Sequence, residues 1–258
     1  MESSTTPKLI LDNLSDKSRA CISNLQTYFQ SQKGLDLSHT KFKLAAVLVL
    51  LYEQDGLLRV LLTTRSKLLR THAGQTALPG GKKDPADPNL IATAFREAHE
   101  EVSLPDPCES VFFLGTLDPF ISLHKLLVTP VVAYLSDSSL LSTLKAADGE
   151  VSQIFSHPLE AILDPSVCLS ENLVAKGSED WPYEDELYNT SDSVVAMLNN
   201  TSYRMHRFRT SASPIKGLTA DILIRTAQIG YNKPPVYERY APNQLQHIMD
   251  VIQAITSP

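Results

Sequence analysis

Three glutamates crowd into the short stretch Arg96-Glu97-Ala98-His99-Glu100-Glu101. Ile91, Ala94, Phe95 and Ala98 recur beside them as an apolar stripe, which predicts a helix over Asn89 to Val102. At roughly 100° per residue, Glu97, Glu100 and Glu101 fall within an arc of about 100°. Like charges so close repel by roughly a few tenths of a kcal/mol per pair. A hard divalent cation reverses that sign, because carboxylate oxygens are the ligands Mg²⁺ prefers. Bare glutamates on a helix read more simply as a solvated acidic face, but the preceding loop shifts the balance. Gly80-Gly81 lets the backbone approach a ligand closely, and a carbonyl there can complete a metal shell.

The charge pattern around this segment is uneven. Gly56 to Lys83 holds Arg59, Arg65, Lys67, Arg70, Lys82 and Lys83 and no acid. From Asp84 to Glu109 the acids Asp84, Asp87, Glu97, Glu100, Glu101, Asp106 and Glu109 face only Arg96. On charge alone this reads as two solvated faces. An anion site beside a cation site, as a metal-dependent phosphate enzyme needs, is the sharper reading.

The elements that must hold these residues are readable in part. Ser15 to Gln32 has Ile22, Leu25 and Phe29 at helical spacing and Ser15 as N-cap. Leu44 to Tyr52 and Leu57 to Thr64 read as strands around a Gln54-Asp55-Gly56 turn. Thr71 to Pro88 carries three glycines and three prolines and reads as a loop. Val111 to Leu117 and Leu126 to Leu135 are strand-like, with a turn near Pro119. Pro158 to Leu163 fits a short helix, and Leu218 to Ile229 and Asn243 to Ile255 fit longer ones. Asp164 to Ser213 gives no clear pattern. The class expected is α+β with a small mixed sheet.

Composition bounds the rest. The chain has 258 residues, 43% hydrophobic and 20% charged, enough for a core without disulfides. The longest apolar run, Leu44 to Tyr52, is nine residues, too short for a membrane span. Cys21, Cys108 and Cys168 form no zinc or disulfide pattern and fit a reducing compartment. A net charge of -6 argues against a general nucleic-acid binder. Met1 to Pro7 has no apolar signal segment.

Gly81-x5-Asp87-x8-Arg96-Glu97-Ala98-His99-Glu100-Glu101-Val102-Ser103-Leu104 resembles the Nudix box, G-x5-E-x7-R-E-U-x-E-E-x-G-U with U aliphatic. Asp87 stands where Glu is usual, one extra residue precedes Arg96, and Ser103 replaces a glycine. That glycine would follow the helix end in a left-handed conformation, so Ser103 there costs on the order of 1 kcal/mol, or the turn differs. Leu61-Leu62-Thr63-Thr64-Arg65-Ser66-x3-Arg70-x3-Gly74-x3-Leu78-Pro79-Gly80-Gly81 is similar to the signature upstream of the box in coenzyme A diphosphatases of this superfamily. The Asp87 form and the extra residue are usual in that subfamily. The resemblance runs in order from about Lys43 to Ile229.

The resemblance implies a Nudix α/β/α sandwich with a mixed sheet and a loop-helix-loop motif. It implies a core domain over 37–235, a helical extension over 1–36 packed on it, and a C-terminal helix in 236–258. It implies hydrolysis of the diphosphate of coenzyme A or its derivatives to 3′,5′-ADP and 4′-phosphopantetheine, with Mg²⁺ or Mn²⁺. An oxidised or modified nucleoside triphosphate is an alternative substrate, and a non-catalytic nucleotide-binding module is a second alternative. Metal ligands by resemblance are Gly81, Glu97, Glu100 and Glu101, with Arg96 pairing with and orienting a neighbouring glutamate. Glu97 and Glu150 are both candidates for the general base. Gly80 and Gly81 approach the substrate, Arg65 and Arg70 could clamp its phosphates, and Lys67 could add charge. The partner expected is a small molecule, with neither nucleic acid nor membrane, for a monomer or homodimer. Peroxisome, mitochondrion or cytoplasm are the expected locations; the end Ile255-Thr256-Ser257-Pro258 is no peroxisomal tripeptide.

Some residues read more blandly. His99 lies outside any His-Glu-x-x-His pattern and reads as a partly exposed helix residue. Cys108 and Cys168 read as structural. The sequons at Asn189, Asn199 and Asn200 read as unused. Trp181, Tyr183 and Tyr188 read as anchors of an insertion.

Overall fold

The apolar run of the sequence lies in β1 (Lys43–Gln54), most of it buried. Both of its faces are covered, Val49 and Leu51 in one core and Leu48 and Leu50 in the other, which is why it shows no alternation. The computed structural model describes residues 9, 11–32, 34, 35, 37 and 40–256. Met1–Pro7 and Ser257–Pro258, on which the expectations about targeting rest, lie outside the described residues.

A tight turn at Asp55 and Gly56, both at positive φ, leads into β2 (Leu57–Arg65). Two consecutive left-handed residues suit a two-residue hairpin connection. Next come β3 (Thr76–Ala77), β4 (Gly80–Lys82), α2 (Leu90–Val102), β5 (Val111–Thr116), β6 (Phe120–Ile121) and β7 (Leu126–Leu135). β7 runs parallel to β1, with Ala46 beside Thr129 and Leu48 beside Val131. β5, β2 and β4 pair antiparallel, so the sheet is mixed. β2 takes the second half of the free edge of β1, and β4 takes the first half. β8 (Val151–Pro158) lies along the other edge of β2.

Each face of the sheet carries its own core. Ala94, Ala98 and Val102 of α2 pack on Ala46, Leu48 and Leu50. Beneath the other face lie α1 (Asp16–Ser31) and α3 (Gly217–Tyr231), through Ile22, Leu25, Ile222, Leu223 and Ala227. This is an α/β/α arrangement. Ser15 caps α1 as expected, accepting from the Ser18 N–H. The Glu53 carboxylate accepts from the Ser15 N–H and hydroxyl, which moors α1 to the end of β1. At Gly230 a side chain would strike Cys21, so the two helices meet where one has none.

Two expectations need correction, and one segment without a clear pattern resolves. The segment Thr71 to Pro88 is not all loop, since β3 and β4 form within it; two and three residues are too short to show a periodicity. The C-terminal helix is α4 (Ile248–Thr256) and does not start at Asn243. Asn243 has φ 61, outside the helical region. The Gln244 side chain accepts from the Ala241 and Arg204 N–H groups instead of continuing a helix. The unreadable segment holds a hairpin, β9 (Tyr188–Val195) and β10 (Thr201–Phe208), which with β11 (Ile215–Lys216) makes a second sheet. Most of β9 is exposed, so no apolar alternation was required of it. Trp181 is fully buried beside this hairpin and donates to the Asp185 carbonyl. No helix among the described residues is long and apolar enough to cross a membrane.

Glu160 joins three parts of the chain. It sits in the short turn after β8 and takes ion pairs from Lys17 of α1 and from Lys233, 2.6 Å away, just after α3. Burial alone would raise its pKa, but the two lysines outweigh it and hold the carboxyl below its usual range. A depressed folded pKa contributes stability that is present above about pH 4.3 and lost as pH falls through the folded value. Glu160→Gln should therefore cost about 1–2 kcal/mol near neutrality, the lysines being partly exposed. The gap should close in acid. Chemical denaturation of both proteins over a pH series checks this, and a gap that persists at the acid end would contradict it.

Candidate active site

The site is built where the loop before α2, the helix itself and the end of β2 converge. Asn89 caps α2, its side chain accepting from the Ala92 N–H at 2.9 Å. Below the cap, Asp87 is buried and fully used. Its Oδ2 accepts from the Asp84 N–H and the Thr93 hydroxyl, both at 2.9 Å. Arg96 donates to both oxygens of Asp87, Nε to Oδ1 at 2.9 Å and Nη2 to Oδ2 at 3.0 Å. The guanidinium beside it holds the Asp87 carboxyl far below the usual carboxylate range.

Arg96 then reaches the other carboxylates. Nη2 donates to Glu97 Oε1 and Nη1 to Glu100 Oε2, each at 3.0 Å. Nη2 also meets the Lys82 carbonyl at 3.3 Å. The three glutamates differ in environment. The Glu101 side chain is 9% exposed, Glu97 18% and Glu100 53%. Burial raises the pKa of Glu97 against the hydrogen bond from Arg96. Burial pushes Glu101 up to about 7, opposed by the Gly80 N–H and by Arg65 and helped by the charges of Glu97 and Glu150.

The two glycines of β4 are required here. A Cβ at Gly80 would collide with the Ala46 carbonyl of β1, and the Gly80 N–H donates to Glu101 Oε2 at 3.1 Å. A Cβ at Gly81 would lie 2.5 Å from the carboxylate of Glu97. The sheet register thus brings the backbone directly against the acidic face of α2.

Other predicted residues fall as follows. Arg65 lies 3.8 Å from Glu101, and its Nε is buried with no partner among the described residues. Glu150 is exposed on a turn bound to the site, the Ser66 N–H donating to its carbonyl at 2.8 Å and the Ala147 N–H to the Glu101 carbonyl at 2.9 Å. Lys67 is not brought in, since its ammonium pairs with Glu179 at 2.9 Å. Arg70 is exposed and makes no hydrogen bond or ion pair among the described residues. His99 is exposed and its Nδ1 meets the Leu104 carbonyl at 2.8 Å, so it closes the end of the helix. Ser103 does adopt the left-handed conformation, φ 57 and ψ 31, and its hydroxyl donates to the Lys145 carbonyl at 3.3 Å. Asp87 had no assigned role from sequence, although an acid nine residues before Arg96, with a hydroxyl at Thr93 between, was the available signal.

Among the described residues no three His, Cys, Asp or Glu side chains stand as a ready metal cage. Arg96 draws Glu97 and Glu100 toward itself instead. The donor set still fits a hard divalent cation: oxygen ligands only, two carboxylates raised by burial, and a glycine cradle that a side chain would fill.

Known proteins are similar to this chain over much of its length. The NUDIX domain family model matches residues 42–175. "Nudix hydrolase 15, mitochondrial" of Arabidopsis thaliana is 38% identical over 208 residues, 80% of this chain and 65% of that protein. "Nudix hydrolase 22, chloroplastic" of the same plant is 38% identical over 78% of this chain and 60% of its own length. The chain thus spans somewhat less than two thirds of these relatives. "Peroxisomal coenzyme A diphosphatase NUDT7" of Mus musculus is 34% identical over 67% of this chain and 69% of that protein.

Asp87→Ala should unseat Arg96 and leave it partly buried without its main acceptor. We expect a loss of about 1–3 kcal/mol in thermal or chemical denaturation, with the fold retained by circular dichroism. An unchanged stability would contradict the anchoring role.

Proposed function

Because this chain belongs to the Nudix family, we propose that it hydrolyses a diphosphate linkage with the help of Mg²⁺ or Mn²⁺, and that coenzyme A or its derivatives are the substrates. The observation that carries this reading is the gathering of four carboxylates, Asp87, Glu97, Glu100 and Glu101, around only two basic groups beside Gly80-Gly81. Glu97 and Glu101 both have raised pKa values, and Arg65 and Arg96 are the basic groups within reach of them. Such a site is favourable when a divalent ion joins it.

Glu101, Glu100 and the Gly81 carbonyl would hold the ion. When bound, it would neutralise the diphosphate and polarise the phosphoryl oxygen toward attack. The chain's own residues do the rest. Asp87 fixes Arg96, and Arg96 fixes Glu97 through Oε1. Glu97 Oε2 then remains to take a proton from the attacking water. Arg65, beside Glu101, supplies positive charge where the diphosphate would sit.

The substrate reading rests on the upstream segment Leu61 to Gly81 and on the likeness to the mouse protein. Two contacts bear on the roles within that segment. Lys67 is paired with Glu179, and Arg65 is turned inward to Glu101. Arg70 is the cation left to meet a peripheral group such as the 3′-phosphate.

Ranking kcat/KM for coenzyme A, its disulfide and acyl forms, and 8-oxo-dGTP tests the substrate. A clear preference for 8-oxo-dGTP would replace coenzyme A. Glu101→Gln should lower metal-dependent kcat severely, and Glu97→Gln should lower it by roughly 10²–10⁴-fold, with Glu150→Gln much milder. The reverse order for the last two would move the base to Glu150. Arg70→Ala should raise KM about tenfold for coenzyme A and hardly for dephospho-coenzyme A, whereas Arg65→Ala should impair both. Equal effects of Arg70→Ala on the two substrates would remove the 3′-phosphate contact.

A further inference from the structure

Two histidines outside the carboxylate cluster face one another across two separate loops. His72 lies between β2 and β3, and His124 lies between β6 and β7. Both are exposed. Their ring centroids are 5.2 Å apart with an interplanar angle of 75°. Each loop is a closed turn. The Gln75 N–H donates to the His72 carbonyl at 3.2 Å, and the Lys125 N–H donates to the Ser122 carbonyl at 2.9 Å. Each turn also contains a residue in the left-handed region that is not glycine, His72 at φ 55 and Lys125 at φ 57. The rings are therefore presented by a constrained backbone.

Gln75 offers His72 a contact that orients its ring. Its Nδ1 lies 3.0 Å from Gln75 Oε1, an atom that only accepts. When Nδ1 donates to that oxygen, the neutral ring keeps its lone pair on Nε2. A metal-bound imidazole has this same arrangement, its second nitrogen donating to an oxygen that fixes the ring. With metal–nitrogen bonds of about 2.0–2.1 Å and a tetrahedral angle, two coordinated imidazoles hold their centroids roughly 5 Å apart. The separation between His72 and His124 fits this figure, as it also fits an edge-to-face contact of two free rings.

We propose that His72 and His124 form a two-imidazole site for a transition-metal ion such as Zn²⁺ or Ni²⁺, with Gln75 orienting His72. Imidazole nitrogen selects these ions over Mg²⁺, so the site differs in chemistry from the oxygen-lined one on α2. The charged residues adjoining in sequence, Arg70 and Lys125, are basic, which suits water or an anion at the open positions. Occupancy would tie the loop that bears Arg70 to the β6–β7 turn. The inference does not depend on the proposed substrate.

Calorimetric titration of the full chain with Ni²⁺, in excess Mg²⁺ to occupy the carboxylates, tests it without any turnover. One Ni²⁺ per chain is expected. His72→Ala and His124→Ala should each weaken it at least tenfold, and Gln75→Ala about tenfold. His247→Ala should leave it unchanged. Circular dichroism verifies that each variant is folded. With Cu²⁺, electron paramagnetic resonance should show two nitrogen ligands in the wild type and one in His124→Ala. Absence of Ni²⁺ binding, or wild-type affinity in either histidine variant, would overturn the site and leave an edge-to-face ring contact only.

Discussion

Arg96 distributes its donors over Asp87, Glu97, Glu100 and the Lys82 carbonyl, and this offsets the repulsion along the acidic helix face. A guanidinium is planar and permanently charged, with donors in a fixed fork. Fixing that fork needs a rigid acceptor besides the glutamates. Asp87 is that acceptor, itself pinned by the Asp84 N–H and the Thr93 hydroxyl. The charge-assisted bonds at 2.9 and 3.0 Å are short enough to set orientation. The extra residue before Arg96 is thus accommodated by an aspartate close under the helix start.

The rest of the fold brings backbone to this cluster. β4 runs antiparallel to the first half of β1, with Gly81 beside Ala46 and Gly80 beside Val47. Ala94 and Ala98 let α2 lie close over that part of the sheet. Small residues on both surfaces place the Gly80 N–H within hydrogen-bonding distance of Glu101 and the Gly81 Cα against Glu97. The same closeness removes water from the carboxylates and raises their pKa values, the condition under which a bound cation gains most. Turns at Ser66 and Ala147 then fasten the end of β2 and the loop bearing Glu150 to the end of α2.

Long, strongly patterned elements were legible. The α2 stripe, the Ser15 cap, the Asp55-Gly56 hairpin and the run of β1 each have a local cause written in neighbouring residues. Short pairings were not, since β3 and β4 exist through hydrogen bonds to β2 and β1, partners distant in sequence. The β9–β10 hairpin escaped for the opposite reason: its outward strand is mostly exposed and mostly polar, and its anchors are Trp181 and the pairing of Arg204 with Asp192. At Asn243 a helical pattern extended too far, because a side-chain acceptor, Gln244, offered the backbone an alternative.

What the sequence by itself determined is the chemistry available: three carboxylates within one helical arc, a guanidinium among them, and paired glycines ahead of them. Spacing along a helix depends only on the pitch of the helix, so it can be read from one chain segment. Tertiary structure alone decided how that chemistry is divided. It buried Glu101 and left Glu100 half in water, made Asp87 the anchor of Arg96, turned Arg65 inward and gave Lys67 to Glu179. Burial and long-range pairing depend on which distant segments meet, and no local spacing encodes that.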